Sequence, residues 1–170
     1  FITSSMTTTK TRLIDIHSKQ HILRIDDDVI AVPLAPNYEG DLNSYDAIVF
    51  SDYLKGFIDY NIVKWTRANY AGPIFIDTKK RDLAQFEGCY VKVNEHEYNQ
   101  RTSACNNLIV TLGANGAMFC HGENEDYFPG NPVEVVDVCG AGDTFISALV
   151  YKFLETSDMS TAIIYANKAS

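Results

Sequence analysis

The chain has 170 residues, 46% hydrophobic and 21% charged, which suits one globular domain with a sizeable core. Fourteen Lys and Arg against 22 Asp and Glu give a net charge of −8, which argues against a nucleic-acid surface or an anionic membrane as the main partner. No apolar run approaches a membrane span, the N-terminal stretch lacks a basic-then-apolar leader pattern, and Cys89, Cys105, Cys120 and Cys139 show no zinc or disulfide spacing. Reduced thiols in a cytoplasmic protein are the expectation.

Residues 11–16 and 21–26 alternate well enough to form two strands around the polar turn His17-Ser18-Lys19-Gln20. His17 and His21 would share a face only on a helix, so on a hairpin they read as exposed side chains, not metal ligands. Asp26-Asp27-Asp28 reads as a solvated strand end. Residues 29–45 carry prolines and asparagines and read as loop, with room for one short strand.

Ala47-Ile48-Val49-Phe50 is a short continuous apolar run, the mark of a strand buried on both faces. After Ser51-Asp52-Tyr53-Leu54-Lys55-Gly56, the residues Ile58, Ile62, Trp65 and Ala68 recur at helical spacing up to Gly72-Pro73. Ile74-Phe75-Ile76 is the next buried strand, running into Asp77-Thr78-Lys79, and residues 90–93 form another that ends at Asn94. Residues 108–112 and 117–121 flank Gly113-Ala114-Asn115-Gly116, a hairpin turn. Residues 133–138 form a strand, and 144–154 a helix apolar almost all round and therefore buried. Strands alternating with helices predict an α/β fold, with a mostly parallel sheet flanked by helices and ligands bound beyond the strands' carboxyl ends.

Between that last strand and helix stands Asp137-Val138-Cys139-Gly140-Ala141-Gly142-Asp143-Thr144-Phe145. Small residues let the backbone approach a ligand, and free N–H groups at a helix start attract an anion. A carboxylate inside an anion site needs a task. The simplest is to take a proton from a hydroxyl while amides hold a phosphoryl group, which is the chemistry of a small-molecule kinase.

Asp137, Gly140, Ala141, Gly142, Asp143 and Phe145 fit the pattern Asp-x-x-Gly-Ala-Gly-Asp-x-Phe, and the segment resembles the signature of the ribokinase-like (PfkB) carbohydrate kinases. The resemblance implies ATP with Mg²⁺, Asp143 as catalytic base, and the amides of Gly140, Ala141 and Gly142 around the migrating phosphate. Asn94-Glu95-His96-Glu97 matches the family's Asn-x-x-Glu element, implying that Asn94 and Glu97 organise the nucleotide phosphates and, through water, Mg²⁺. Read alone, Asn94 equally caps a helix starting at Glu95. Thr111 to Gly116 matches Thr-x-Gly-x-x-Gly, implying that Thr111, Gly113 and Gly116 lie beside ATP; an ordinary hairpin loop is the other reading. Asn167 matches the Ala-Asn-x-Ala of the helix that closes the adenine pocket.

Ser51 to Gly56 resembles a bacterial group within that family that phosphorylates the anomeric hydroxyl of D-glycero-β-D-manno-heptose 7-phosphate, on the way to lipopolysaccharide core heptose. It implies Lys55 as a substrate contact and Lys79 as a phosphate contact; solvated loop lysines are the alternative. Asp77-Thr78-Lys79 departs from that group's Asp-Pro-Lys. A small-molecule sugar phosphate is the expected partner, with no nucleic acid and no membrane, and a homodimer is left open.

The resemblance runs from about Lys10 to Ser170 and covers the later part of a ribokinase-like domain, so residues 1–170 are expected to be its C-terminal portion and the fold incomplete. A partial gene product is the first expectation and a reduced, inactive relative the second. Thirteen residues separate Asn94 from Leu108 without a clear apolar helix face, which disfavours a long helix there.

Overall fold

The computed structural model describes residues 7–18, 20–130 and 140–170. The strand expected over 133–138, with Asp137 and Cys139, lies outside the described residues. Strands β1 (Thr9–Ile14) and β2 (His21–Asp27) pair antiparallel, with Thr11 opposite Ile25 and Leu13 opposite Leu23, as the alternation predicts. All residues of both strands are exposed. The hairpin continues into residues 29–45, which contain no strand, only a 3-10 turn at Leu42–Ser44. That segment is tied to the body where Ala31 N–H donates to the Lys55 carbonyl (2.7 Å) and Leu34 N–H to the Phe57 carbonyl (2.9 Å).

The main sheet has six strands in chain order: β3 (Ile48–Asp52), β4 (Ile74–Thr78), β5 (Tyr90–Asn94), β6 (Asn107–Thr111), β7 (Ala117–His121) and β8 (Asn124–Phe128). The first four are parallel, and the β6–β7 and β7–β8 pairs are antiparallel, so β7 alone runs against the rest. The fold is the expected α/β arrangement with a mostly parallel sheet. Pleating sends Ile74, Ile76, Val91, Val93, Leu108 and Val110 to one face, where they meet Ile62 and Val63 of helix α1 (Tyr60–Asn69). Phe75 and Ile109 point the other way, against α3 (Ala141–Thr156) and α4 (Met159–Ala169). Each fully buried Leu, Ile, Val or Phe here contributes about 1.5–3 kcal/mol of transfer free energy.

Helix starts are set by short acids. Asp59 accepts the Ile62 N–H (2.9 Å) and Asp158 the Thr161 N–H (2.9 Å), caps worth about 1 kcal/mol each. The connection after β5 is only the five-residue helix α2 (Glu95–Asn99), so no long helix intervenes. Cys89, Cys105 and Cys120 are free thiols, and burial pushes Cys89 up to about 11 and Cys105 up to about 12.

Residues 29–45 are loop, as read from the prolines and asparagines. Three expectations need correction. β3 is the edge of the described sheet, so its outward face is open and Val49 is exposed, where a continuous apolar run predicts burial on both sides. Helix α1 starts at Tyr60, after Ile58, and buries Ile62, Val63 and Thr66 while Ala68 is exposed, because the face bearing Ile62 and Val63 is the one packed on the sheet. Helix α3 buries only Phe145, Ile146 and Leu149; Tyr151 and Leu154 face outward because the helix packs on one side alone. Strand β8 has no counterpart among the sequence expectations, since Asn124, Glu125 and Asp126 carry no apolar pattern.

Candidate active site

The chain enters α3 through Gly140 in the left-handed region (φ 81°), a conformation that costs glycine little. No side chain among the described residues caps this end, where the first-turn amides of Ala141, Gly142 and Asp143 have no intrahelical partners and carry the positive end of the helix dipole. Asp143 sits on that turn with an exposed carboxylate. It makes no salt bridge among the described residues; its Oδ1 accepts the Tyr53 hydroxyl at 2.7 Å.

Beneath the turn lies a buried ion pair that the sequence expectations do not include. Lys92 occupies the middle of Val91-Lys92-Val93 and therefore points to the opposite face from those valines, toward α3. Its cross-strand neighbour is Asp77, and Lys92 Nζ donates to both carboxylate oxygens at 3.1 Å. The Lys92 ammonium also lies against Gly142: a β-carbon there would stand 2.8 Å from Nζ. The absence of a side chain at Gly142 thus lets a cation reach the helix start. Burial raises the Asp77 carboxyl, Lys92 opposes that rise, and the charges of Glu97 and Asp143 add to it. A lysine within a buried strand was the available signal, because such a charge needs a partner.

Tyr53 reaches Asp143 from the loop after β3. Leu54 behind it adopts a left-handed backbone (φ 57°), which a branched side chain occupies only under constraint. The constraint is Asp52, buried to 4% exposure. Its Oδ1 accepts the Leu54 N–H (3.0 Å), and its Oδ2 accepts the Thr78 hydroxyl (2.9 Å) and the Lys80 ammonium. Lys80 Nζ also donates to the Ile58 carbonyl at 2.7 Å. The neighbouring Lys79 is exposed and places its ammonium 5.4 Å from the Tyr53 ring centroid, with that of Lys10 at 5.6 Å. Lys55 instead pairs with Asp28 of the segment after β2, which holds the Asp28 carboxyl below its usual range.

The remaining candidates lie at the same end of the sheet but make structural bonds. Asn94 caps α2 by accepting the Glu97 N–H (2.8 Å), and Glu97 Oε2 accepts the Asn94 N–H (2.7 Å), a reciprocal capping box. Thr111 ends β6 beside Asn94 of β5, and its hydroxyl donates to the Val93 carbonyl at 3.4 Å. Gly113 and Gly116 bracket a 3-10 turn between β6 and β7, and Gly116 is packed against the chain at Phe128 and Gly130. Asn167 of α4 donates its amide N–H to the Phe128 carbonyl at 3.0 Å.

No group of three or more metal-ligating side chains exists among the described residues. The carboxylate oxygens at this end of the sheet, those of Glu97 and Asp143, are donors of the kind a hard cation takes together with water and phosphate oxygens. Mg²⁺ has that habit.

The pfkB family carbohydrate kinase profile matches residues 81–170, a stretch that contains Lys92, Asn94, Glu97, the β6–β7 turn, α3 and α4. The chain belongs to the pfkB carbohydrate kinase family. Relatives include the protein named bifunctional protein HldE of Bradyrhizobium diazoefficiens, 27% identical over 199 residues covering 98% of this chain and 40% of the relative. That of Pseudomonas aeruginosa PAO1 is 29% identical, covering 99% of this chain and 41% of the relative. The chain spans about two fifths of the length of these curated relatives.

Among solved structures, a fructokinase from Vibrio cholerae O395 in fructose-, ADP- and calcium-bound form shares the fold with a TM-score of 0.67. The pair is 17% identical, over 94% of this chain and 65% of that one. A ribokinase from Thermotoga maritima gives a TM-score of 0.63 at 18% identity, over 95% of this chain and 61% of that one. In this pfkB-family chain no helix among the described residues is long and apolar enough to cross a membrane.

Proposed function

We propose that this chain carries the phosphoryl-transfer portion of an ATP-dependent kinase acting on a sugar or sugar-phosphate hydroxyl, the anomeric hydroxyl of heptose 7-phosphate being the best-supported acceptor. The observation that carries the reading is Asp143 on the open first turn of α3, with Lys92 beneath it and a tyrosine hydroxyl bonded to it. The resemblance of Ser51 to Gly56 to heptose kinases favours the acceptor.

In this reading Asp143 accepts the proton of the acceptor hydroxyl as its oxygen bonds the γ-phosphorus. The bond to the β–γ bridging oxygen breaks and ADP leaves. Amides of Gly140, Ala141 and Gly142 hold the equatorial oxygens, and Lys92 adds positive charge from below. Such a transition state needs positioning and charge stabilisation more than nucleophile activation, so an ordinary aspartate suffices. Bound Mg²⁺ would neutralise phosphate charge, with Glu97 holding one of its waters. Asn94, Thr111, Gly113, Gly116 and Asn167 line the nucleotide side, and Lys79 and Lys55 the phosphate and acceptor side.

Asp143→Asn in the full-length protein tests the base. Transfer to heptose 7-phosphate at saturating ATP should fall roughly 10²- to 10⁴-fold. Wild-type turnover in that variant would remove Asp143 from the mechanism. Fructose, ribose and a nucleoside assayed in parallel decide the acceptor.

A further inference from the structure

We infer that Tyr53 is a positioning residue that guards the base: its hydroxyl occupies the acceptor's place at Asp143 Oδ1 and denies that one position to water until a sugar hydroxyl displaces it. The inference rests on the functional reading above. Three observations lead to it. The 2.7 Å bond joins residues 90 positions apart and is the one side-chain contact to the Asp143 carboxylate among the described residues. The Tyr53 side chain is partly exposed, so it is free to move when a ligand arrives. The backbone that aims it is held in an unfavourable conformation at Leu54 by the buried Asp52–Lys80–Thr78 cluster, far more structure than an incidental surface tyrosine requires.

The chemistry gives the guard a purpose. A kinase base that activates an alcohol also activates water: the water proton would pass to Asp143 and its oxygen would bond the γ-phosphorus. The β–γ bridging bond would then break, and ATP would be consumed as ADP and phosphate. A phenol is a poor substitute nucleophile here, because its oxygen is tethered to the loop and its proton is held. Asp143 raises the Tyr53 ionisation, first through their hydrogen bond, with burial and the charges of Asp143 and Asp77 adding and Ser51 opposing. Lys10 and Lys79, both near the ring, are placed to take up phosphate when it enters.

The test is Tyr53→Phe in the full-length protein, with ATP hydrolysis measured without acceptor and transfer measured with heptose 7-phosphate. The ratio of hydrolysis to transfer should rise roughly 3- to 10-fold, the rate equivalent of one hydrogen bond. A merely structural role lowers both together and leaves the ratio unchanged, which overturns the guard. A second arm needs no turnover: with 13Cζ-labelled tyrosine, the signal missing in Tyr53→Phe is assigned and titrated. Asp143→Asn should bring Tyr53 ionisation down toward the ordinary tyrosine range. An unmoved titration overturns the inference, and a full-length protein that titrates as expected yet transfers no phosphate fails the functional reading instead.

Discussion

A methyl group on Gly142 would stand 2.8 Å from the Lys92 ammonium nitrogen. That ammonium is at the end of a flexible stem, but it is buried and both Asp77 oxygens hold it, so it has little freedom to retreat. The strand therefore dictates glycine at the second position of α3 through a charge, not through backbone conformation. Gly142→Ala should push Lys92 or the helix start aside, at an overpacking cost of about 1–3 kcal/mol. Urea denaturation should show that loss, and Lys92→Met in the Gly142→Ala background should recover part of it if Asp77 is changed to Asn as well. Additive losses would separate the two residues.

Lys92→Met alone leaves the Asp77 carboxylate buried beside the charges of Glu97 and Asp143. Breaking a buried pair in this way costs about 3–5 kcal/mol. The deficit should depend on pH, and its sign follows from the raised Asp77 carboxyl. A carboxyl raised on folding contributes stability that is whole below the ordinary aspartate value of about 3.9 and is lost as pH rises through the folded value. Removing Lys92 removes the influence that lowers Asp77, so the variant should be most deficient near neutrality and approach wild type as Asp77 protonates. Melting curves across pH 4–8 are the check; a deficit independent of pH would mean that Lys92 acts by packing alone.

Much of this geometry was readable in the chain. The β6–β7 turn, the buried β4 and β5, and the placement of Asp143 on a helix's first turn follow from apolar runs punctuated by Gly113, Gly116 and Gly140. What escaped are pairings across sequence. Asp52 meets Lys80 because the parallel β3 and β4 bring their carboxyl ends together, and Tyr53 meets Asp143 because α3 starts over the same sheet; no local pattern encodes a partner 28 or 90 residues away. The openness of α3 escaped for a related reason: Tyr151 and Leu154 are apolar, yet composition says nothing of whether a second layer lies over them.

The capping bond of Glu97 and the Mg²⁺ role proposed for it separate chemically. Its Oε2 accepts the Asn94 N–H, a bond glutamine can also accept, while any hold on a metal-bound water relies on charge. Glu97→Gln should therefore keep the melting temperature and raise the Mg²⁺ concentration needed for half-maximal transfer. Glu97→Ala should lose both, with the capping loss near 1 kcal/mol. Equal Mg²⁺ dependence in Glu97→Gln and wild type would confine Glu97 to capping α2.

Two adjacent lysines should respond in opposite ways. Lys80 is nearly buried and neutralises Asp52, so Lys80→Met leaves a buried carboxylate with the Leu54 N–H and the Thr78 hydroxyl but no counter-charge among the described residues, and should cost about 3–5 kcal/mol. It should also release Leu54 and weaken the aim of Tyr53, since the Asp52 oxygen that fixes the Leu54 N–H loses its counter-charge. Lys79 is exposed and has no carboxylate partner among the described residues, so Lys79→Met should leave stability within about 0.5 kcal/mol. Its effect should fall on phosphate binding instead, as a higher KM with kcat little changed. Denaturation and steady-state kinetics on both variants decide it: a destabilised Lys79→Met, or a stable Lys80→Met with raised KM, would reverse the assignment of scaffold and substrate contact.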